Sequence, residues 1–187
     1  MKINDYIYTT NIIPIEVCKN LIKKINKKEW EKHTWYSAEN NSYNSEKEKE
    51  LDVQPIDTEM QQQMTPYLVK AYQEYNSKFA DLNDNRLSNL ATTFSSIRFN
   101  KYKKGTLMRK HYDHIHSLFD GRYKGIPVIS FIGMLNENYA GGDLIINGQK
   151  IEPKTGNIVI FPSCFLYPHE VKEIKKGTRY SFVSWGF

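Results

Sequence analysis

Cysteine is scarce in this chain: Cys18 and Cys164 stand far apart, without metal-ligand spacing. That excludes a disulfide framework and a cysteine-built metal site, and it fits reduced thiols in the cytoplasm. Long apolar runs are missing too, since none approaches the roughly 20 residues that a membrane-spanning helix needs. The N-terminus lacks a signal-peptide pattern, and no internal repeat or low-complexity tract is evident. A cytoplasmic protein with no membrane partner is therefore expected. Histidine is also sparse, at five in 187 residues, so the placing of those five carries information.

What is present suits an ordinary globular protein. A chain of 187 residues is most simply one domain, 1–187, and is long enough to bury a genuine core. Its 40% hydrophobic and 25% charged residues are usual proportions. Lys and Arg outnumber Asp and Glu by 26 to 21, for a net charge of +5. Such a charge suits an anionic cosubstrate or nucleic acid, and suits a solvated lysine-rich surface equally well.

The N-terminal half reads as helical. In 14–25, Val17, Cys18, Leu21, Ile22 and Ile25 recur at helical spacing behind Pro14, with Lys19, Lys23, Lys24 and Lys27 on the wet face. Residues 28–36 carry Trp30, His33, Trp35 and Tyr36 and suit an early strand, whereas 38–50 is almost wholly Asn, Ser, Glu and Lys and reads as a loop. A longer helix is expected over 57–80, capped by Asp57 or Thr58. Its stripe is Met60, Met64, Tyr67, Leu68, Ala71, Tyr72, Tyr75 and Phe79. Pro66 would kink that helix or divide it, and 81–89 is a polar connection.

From about Ala91 the texture changes. Short runs rich in Val, Ile, Phe and Tyr predict strands at 92–101, 106–111, 127–135, 142–146, 149–152, 156–161, 166–171 and 177–185. Asn147-Gly148 is a strong two-residue hairpin signal between two of them. Eight closely spaced strands fit a double-sheet jelly roll. The expected fold is thus mainly β, with a jelly-roll core in 91–187 and a mostly helical support region in 1–90, its helices packed outside the barrel.

Three of the five histidines fall in Met108-Arg109-Lys110-His111-Tyr112-Asp113-His114-Ile115-His116. His111 and Asp113 are two apart, so on extended backbone they point the same way. His169, in Tyr167-Pro168-His169-Glu170-Val171, lies on another strand that a barrel can bring opposite them. Two imidazoles and one carboxylate on a single face leave coordination positions open, the arrangement of non-haem iron(II) oxygenases. Zinc hydrolases and cupins also build histidine-rich sites on β-scaffolds, so the spacing alone leaves the metal open. His116 shares the parity of His111 and Asp113, but His114 and His116 read more simply as surface or supporting histidines. His33 has no metal-like neighbours. Arg179 is a lone cation in an otherwise uncharged strand, costly to bury without an anion. Its fork suits a carboxylate, either an internal Asp or Glu or that of a ligand, and the Tyr102 hydroxyl could supplement the same anion.

Taken in order, several short motifs carry a resemblance. They are Arg98-Phe99-Asn100-Lys101-Tyr102-Lys103-Lys104-Gly105, His111-x-Asp113, Met134-Leu135-Asn136, Gly141-Gly142-Asp143-Leu144, Gly156, Phe161-Pro162, His169-x-Val171, and Gly177-x-Arg179 with Trp185. Over 94–187 the chain resembles the prolyl 4-hydroxylase-like 2-oxoglutarate/Fe(II) dioxygenases. The resemblance implies Fe(II) bound by His111, Asp113 and His169. It implies 2-oxoglutarate with its distal carboxylate on Arg179 and a hydrogen bond from Tyr102. It also implies O2 as oxidant and ascorbate as an accessory. The implied reaction is hydroxylation, most commonly of a prolyl residue in a protein or peptide, with release of succinate and CO2. Trp185, Met134 and Arg98 are the candidate walls of the substrate pocket. Met108 departs from the aromatic that many relatives carry three residues before the first ligand, and Met134 from the tyrosine of some peptidyl prolyl hydroxylases.

Other functions remain open at this level. The same chemistry serves hydroxylation of another amino-acid residue or of a free amino acid. Nucleic-acid demethylases of the AlkB type typically carry a second arginine six positions after the first, where this chain has Trp185. A barrel reduced to peptide binding would show a broken triad, and this one is intact. The stretches 38–50 and 116–124 are candidate lids over a peptide, or plain surface loops.

Overall fold

Turn chemistry and strand pairing account for most of the architecture. The structure, a computed structural model, describes residues 2–37, 42–44, 48–79, 90–113 and 127–187. After a 3-10 turn (Ile3–Tyr6) come β1 (Tyr8–Asn11), α1 (Ile15–Ile25), β2 (Glu31–Lys32), β3 (Trp35–Ser37), β4 (Ser42–Asn44), β5 (Asp52–Pro55) and α2 (Thr58–Phe79). Next follow β6 (Arg98–Tyr102), β7 (Met108–His111), β8 (Ile129–Met134), β9 (Ala140–Gly141) and β10 (Leu144–Ile146). The chain ends with β11 (Gln149–Ile151), β12 (Asn157–Pro162), β13 (His169–Val171), β14 (Ile174–Lys176) and β15 (Arg179–Gly186).

Two antiparallel sheets face each other as a jelly roll. The larger has the order β1-β12-β8-β15-β6-β5-β2 and the smaller β11-β10-β13-β7. Asn147 and Gly148, with φ of 43° and 76°, turn β10 into β11 as the Asn-Gly pair predicts. Every residue of β8 is buried, as a central strand covered on both faces requires. Cys18, Leu21, Met64, Leu68 and Tyr75 of the helices form one core with Phe99, Phe131, Ile158 and Phe182 of the large sheet. A second core between the sheets holds Tyr102, Met108, Met134, Ile146, Phe161 and Val171.

The two helices fall close to their expected bounds, and Asp57 caps α2 by accepting the Met60 N–H at 2.7 Å. Pro66 does not divide that helix. It costs about 3 kcal/mol or more, but Met60, Met64, Leu68, Ala71, Tyr72, Tyr75 and Phe79 are buried on both sides of it. Each large one contributes about 1.5–3 kcal/mol, and Pro66 sits on the exposed side where water can take the freed carbonyl.

The N-terminal region is less helical than its composition predicts. Strands β1, β5 and β2 extend the large sheet, so 1–90 supplies sheet as well as outer helices. The expected loop 38–50 contains β4, which pairs with β3 as a hairpin, and ends in Glu50, a buried residue bridged to Leu107. β2 and the start of β3 fall within the early strand expected at 28–36, whereas β1 and β5 are too short and polar to show a period-two pattern and are formed by pairing with neighbouring strands. The remainder of that loop (38–41 and 45–47), the connection 81–89, His114, His116 and the candidate lid 116–124 lie outside the described residues.

Candidate active site

The site begins with a cross-strand pair. His169 of β13 lies opposite His111 of β7 in the antiparallel ladder, and their rings sit 4.3 Å apart between centroids. Each Nδ1 faces the carbonyl two residues earlier: His111 that of Arg109 at 2.7 Å, His169 that of Tyr167 at 3.2 Å. An Nδ1–H donated to a carbonyl leaves the lone pair on Nε2. Both Nε2 atoms point at Asp113 Oδ1, from 3.5 Å and 3.6 Å. The three donor atoms all lie within 4.8 Å of one another. Burial, then the charge of neighbouring His169, draws His111 down to about 4, so near neutral pH it is an uncharged donor.

Asp113 leaves the small sheet and is anchored to the large one. Ser130 of β8 donates to its Oδ2 at 2.6 Å and itself contacts Ser163 at 2.7 Å. The Trp185 indole also bonds the carboxylate, and Trp185 and Ser130 are register partners on β15 and β8. Burial alone would raise this carboxyl, but His169, His111 and these two donors hold it below the ordinary value. Two imidazole Nε2 atoms and a fixed carboxylate oxygen fit a divalent iron ligand set with open positions.

Arg179 opens β15 opposite Tyr102 of β6. It is 1% exposed. Its guanidinium lies over the Tyr102 ring at 4.9 Å and donates Nη1–H to Ser181 Oγ at 2.9 Å. Among the described residues, Nη2 has no hydrogen-bond partner and no carboxylate pairs with this arginine. A buried cation with an unmet donor, facing the cavity that holds the triad, fits a ligand carboxylate. Burial raises the Tyr102 phenol, against the opposing charges of Arg179 and Arg98, so Tyr102 keeps its proton to donate.

These groups line one cavity of about 390 Å³, within the range of small-molecule sites. Of the candidate pocket walls, Arg98 and Trp185 line it and stack on each other at 5.4 Å. Met134 does not line it; it packs in the inter-sheet core with Tyr102 and Met108. Met108 does reach the cavity. His33 and Trp35, from the aromatic-rich early strand, form part of the wall together with Tyr43 of β4. Sequence reasoning missed Ser130, Ser163 and Glu50. For the serines the available signal was a small polar residue interrupting a buried apolar run; Glu50, in a charged run, offered none.

Residues 97–187 match the 2OG-Fe(II) oxygenase superfamily. A PKHD-type hydroxylase of Prochlorococcus marinus (strain MIT 9515) is 35% identical in an alignment of 103 residues that covers 51% of this chain and only 43% of that protein's length. A Pseudomonas putida prolyl-4-hydroxylase shares the fold with a TM-score of 0.62 at 21% identity, over 96% of this chain and 91% of its own. A Trichoplax adhaerens prolyl hydroxylase, solved with a hypoxia inducible factor peptide fragment, does so with a TM-score of 0.66 at 19% identity, over 97% and 83%. The match to the 2OG-Fe(II) oxygenase superfamily thus spans the strands that carry both histidines, the aspartate and the buried arginine, and the likeness in fold to the two prolyl hydroxylases runs over nearly the whole chain.

Proposed function

We propose that this chain is a 2-oxoglutarate- and Fe(II)-dependent dioxygenase that hydroxylates prolyl residues in a protein or peptide, releasing succinate and CO2. The observation carrying the reading is one cavity that joins a convergent His–Asp–His donor set to a buried arginine with no acidic partner among the described residues. The prolyl substrate is supported by what the neighbours' names say they act on.

His111, Asp113 and His169 would hold the iron. Bound there, iron(II) supplies the redox chemistry by which O2 oxidises 2-oxoglutarate and a substrate C–H bond, one oxygen atom ending in succinate and the other in the new hydroxyl. The chain's own residues do the placing. Arg179 takes the distal carboxylate through Nη2, and Tyr102 donates its hydroxyl proton to the same group. Ser130 and Trp185 keep Asp113 aimed, so its charge is not spent on a freely rotating side chain. Phe131, Ile132, Val171 and Val183 give the cavity apolar walls, which exclude water and restrict the substrate.

Residues 1–187 act as one domain in this reading, with 91–187 supplying the ligands and 1–90 supporting and partly lining the site. Ascorbate serves as an accessory reductant for the iron, and the setting is cytoplasmic. Hydroxylation of another residue or of a free amino acid would use the same machinery. The nucleic-acid demethylase reading is disfavoured because position 185 is a tryptophan bonded to Asp113.

The test is a turnover screen with prolyl peptides, following succinate together with addition of one oxygen by mass. Hydroxylated peptide is expected, and Asp113→Ala or His111→Ala should abolish iron-dependent succinate. Full activity in either variant would sink the triad. Turnover of free proline or nucleic acid with no peptide product would overturn the substrate.

A further inference from the structure

The cavity floor holds two arginines, and the cosubstrate accounts for only one. Tyr102, Asn100 and Arg98 on β6 pair with Arg179, Ser181 and Val183 on β15, and all six line the cavity. The four-residue step from Tyr102 to Arg98 separates the two ends by about 13 Å of backbone. Each guanidinium stacks on an aromatic of the opposite strand: Arg179 on Tyr102 at 4.9 Å, Arg98 on Trp185 at 5.4 Å. Asp113 is bound to the same indole, so Arg98 stands at the metal-donor end and Arg179 at the far end.

Arg98 is half-buried. Its Nε–H donates to Asn100 Oδ1 at 3.2 Å. Among the described residues no carboxylate lies within ion-pair distance of it. Asp113 is near enough to be felt electrostatically, but its oxygens are committed to Ser130, Trp185 and the metal donor set. The terminal amino groups of Arg98 are thus without a protein acceptor among the described residues. The guanidinium lies over the Trp185 indole, and its fork can take an incoming carboxylate with two parallel hydrogen bonds. The five-carbon chain of 2-oxoglutarate, held at Arg179, is too short to reach past the donor atoms to Arg98.

We propose that Arg98 is a substrate-binding residue that selects a carboxylate next to the carbon being hydroxylated. The proposal rests on the hydroxylase reading and narrows it: the substrate is an acidic one. Its carboxylate comes from an acidic side chain flanking the target residue in a peptide, or from the free α-carboxylate of a terminal or single amino acid. Trp185, stacked on the guanidinium, keeps the fork from swinging onto Asp113, and Asn100 fixes its Nε edge.

The test measures binding of matched N-acetyl prolyl peptides to protein loaded with Mn(II) and saturating 2-oxoglutarate, so that Arg179 is filled. One arm compares Glu with Gln on either side of the proline; the other compares a prolyl α-carboxylate with its amide. In the wild type one carboxylate form should bind at least about tenfold more tightly than its neutral partner, and the arm that responds identifies the source. Arg98→Gln should remove that preference, Arg98→Lys should keep part of it, and neither should change 2-oxoglutarate affinity. Equal binding of carboxylate and amide in both wild-type arms, or a preference that survives Arg98→Gln, overturns the proposal without needing any further variant. Failure of Mn(II) and 2-oxoglutarate to bind would instead sink the dioxygenase reading, and the carboxylate comparison would still be measurable on the unloaded protein.

Discussion

Trp35 stands edge-on to the imidazole of His111, with ring centroids 5.4 Å apart and planes at 81°. Its indole N–H donates to Glu50 Oε1 at 2.8 Å, and Arg109 donates to the same oxygen at 3.2 Å. Glu50 is 2% exposed. One buried carboxylate therefore ties the β3–β4 hairpin, which brings Trp35 and Tyr43 to the cavity, to the strand that carries the first metal-donor histidine. The tie crosses from the N-terminal region to the jelly roll.

Glu50→Ala should loosen that tie. It leaves the Trp35 indole without its buried acceptor, a loss of about 1–3 kcal/mol, and should lower the melting temperature by about 2–10 °C. Glu50→Gln, which keeps an acceptor oxygen, should fall between. Because Trp35 and Tyr43 of the hairpin line the cavity and Trp35 contacts His111 rather than Arg179, peptide KM should rise more than the 2-oxoglutarate KM. An unchanged melting temperature in Glu50→Ala would remove Glu50 from this role.

Arg179→Gln tests the other end of the cavity. Losing a buried, hydrogen-bonded charge partner costs about 2–5 kcal/mol. The dissociation constant for 2-oxoglutarate should therefore rise at least about 30-fold. Metal affinity, measured by titration with Mn(II), should stay within about threefold, since no donor atom is touched. Equal losses for metal and cosubstrate would contradict the assigned role.

How much of this was legible in the chain depends on the range of each interaction. Asn147-Gly148 announced its hairpin because turn chemistry is local. His111 and Asp113 announced a shared face because strand parity is local. The ladder register that sets His169 opposite His111 is not local, nor are the Ser130 and Trp185 bonds that aim Asp113. Glu50 lies in a run of alternating acids and lysines that reads as solvated. Its burial comes from partners 15 and 59 residues away, Trp35 and Arg109. The strands β1 and β5 were equally hidden, since a four-residue strand takes its conformation from the neighbour it pairs with.

His33 should make stability depend on pH. Burial, then the charges of Arg98, His111 and Arg109, draws it from 6.5 to about 3. Glu50 Oε2 lies 3.4 Å from its Nδ1 and would favour the charged form, but burial prevails. Below pH 6.5 the unfolded chain takes up a proton that the folded one refuses. The contribution is thus complete above that pH and is lost progressively as pH falls toward about 3. His33→Leu should flatten the fall in stability over this window; denaturant midpoints from about pH 7 down to about pH 4 would check it. A variant as steep as the wild type would show that other groups carry the dependence.

Gly142 gives a test of how Arg179 is held in place. Its φ is +67°, a conformation that side-chain-bearing residues adopt reluctantly. A Cβ there would lie 2.3 Å from Ile174 Cδ1 and 3.4 Å from Arg179 Cδ. Ile174 is fully buried in the inter-sheet core, so it has little room to retreat, and the added methyl must press on the arginine stem or distort the β9–β10 turn. Overpacking of this kind costs about 1–3 kcal/mol. Gly142→Ala is therefore expected to lower the melting temperature and also weaken 2-oxoglutarate binding, while Mn(II) binding at His111, Asp113 and His169 persists. The split between the two ligands is the informative readout. A variant that is destabilised yet binds 2-oxoglutarate as tightly as the wild type would mean that Ser181 and the Tyr102 ring alone fix the guanidinium, and that the glycine serves only the turn.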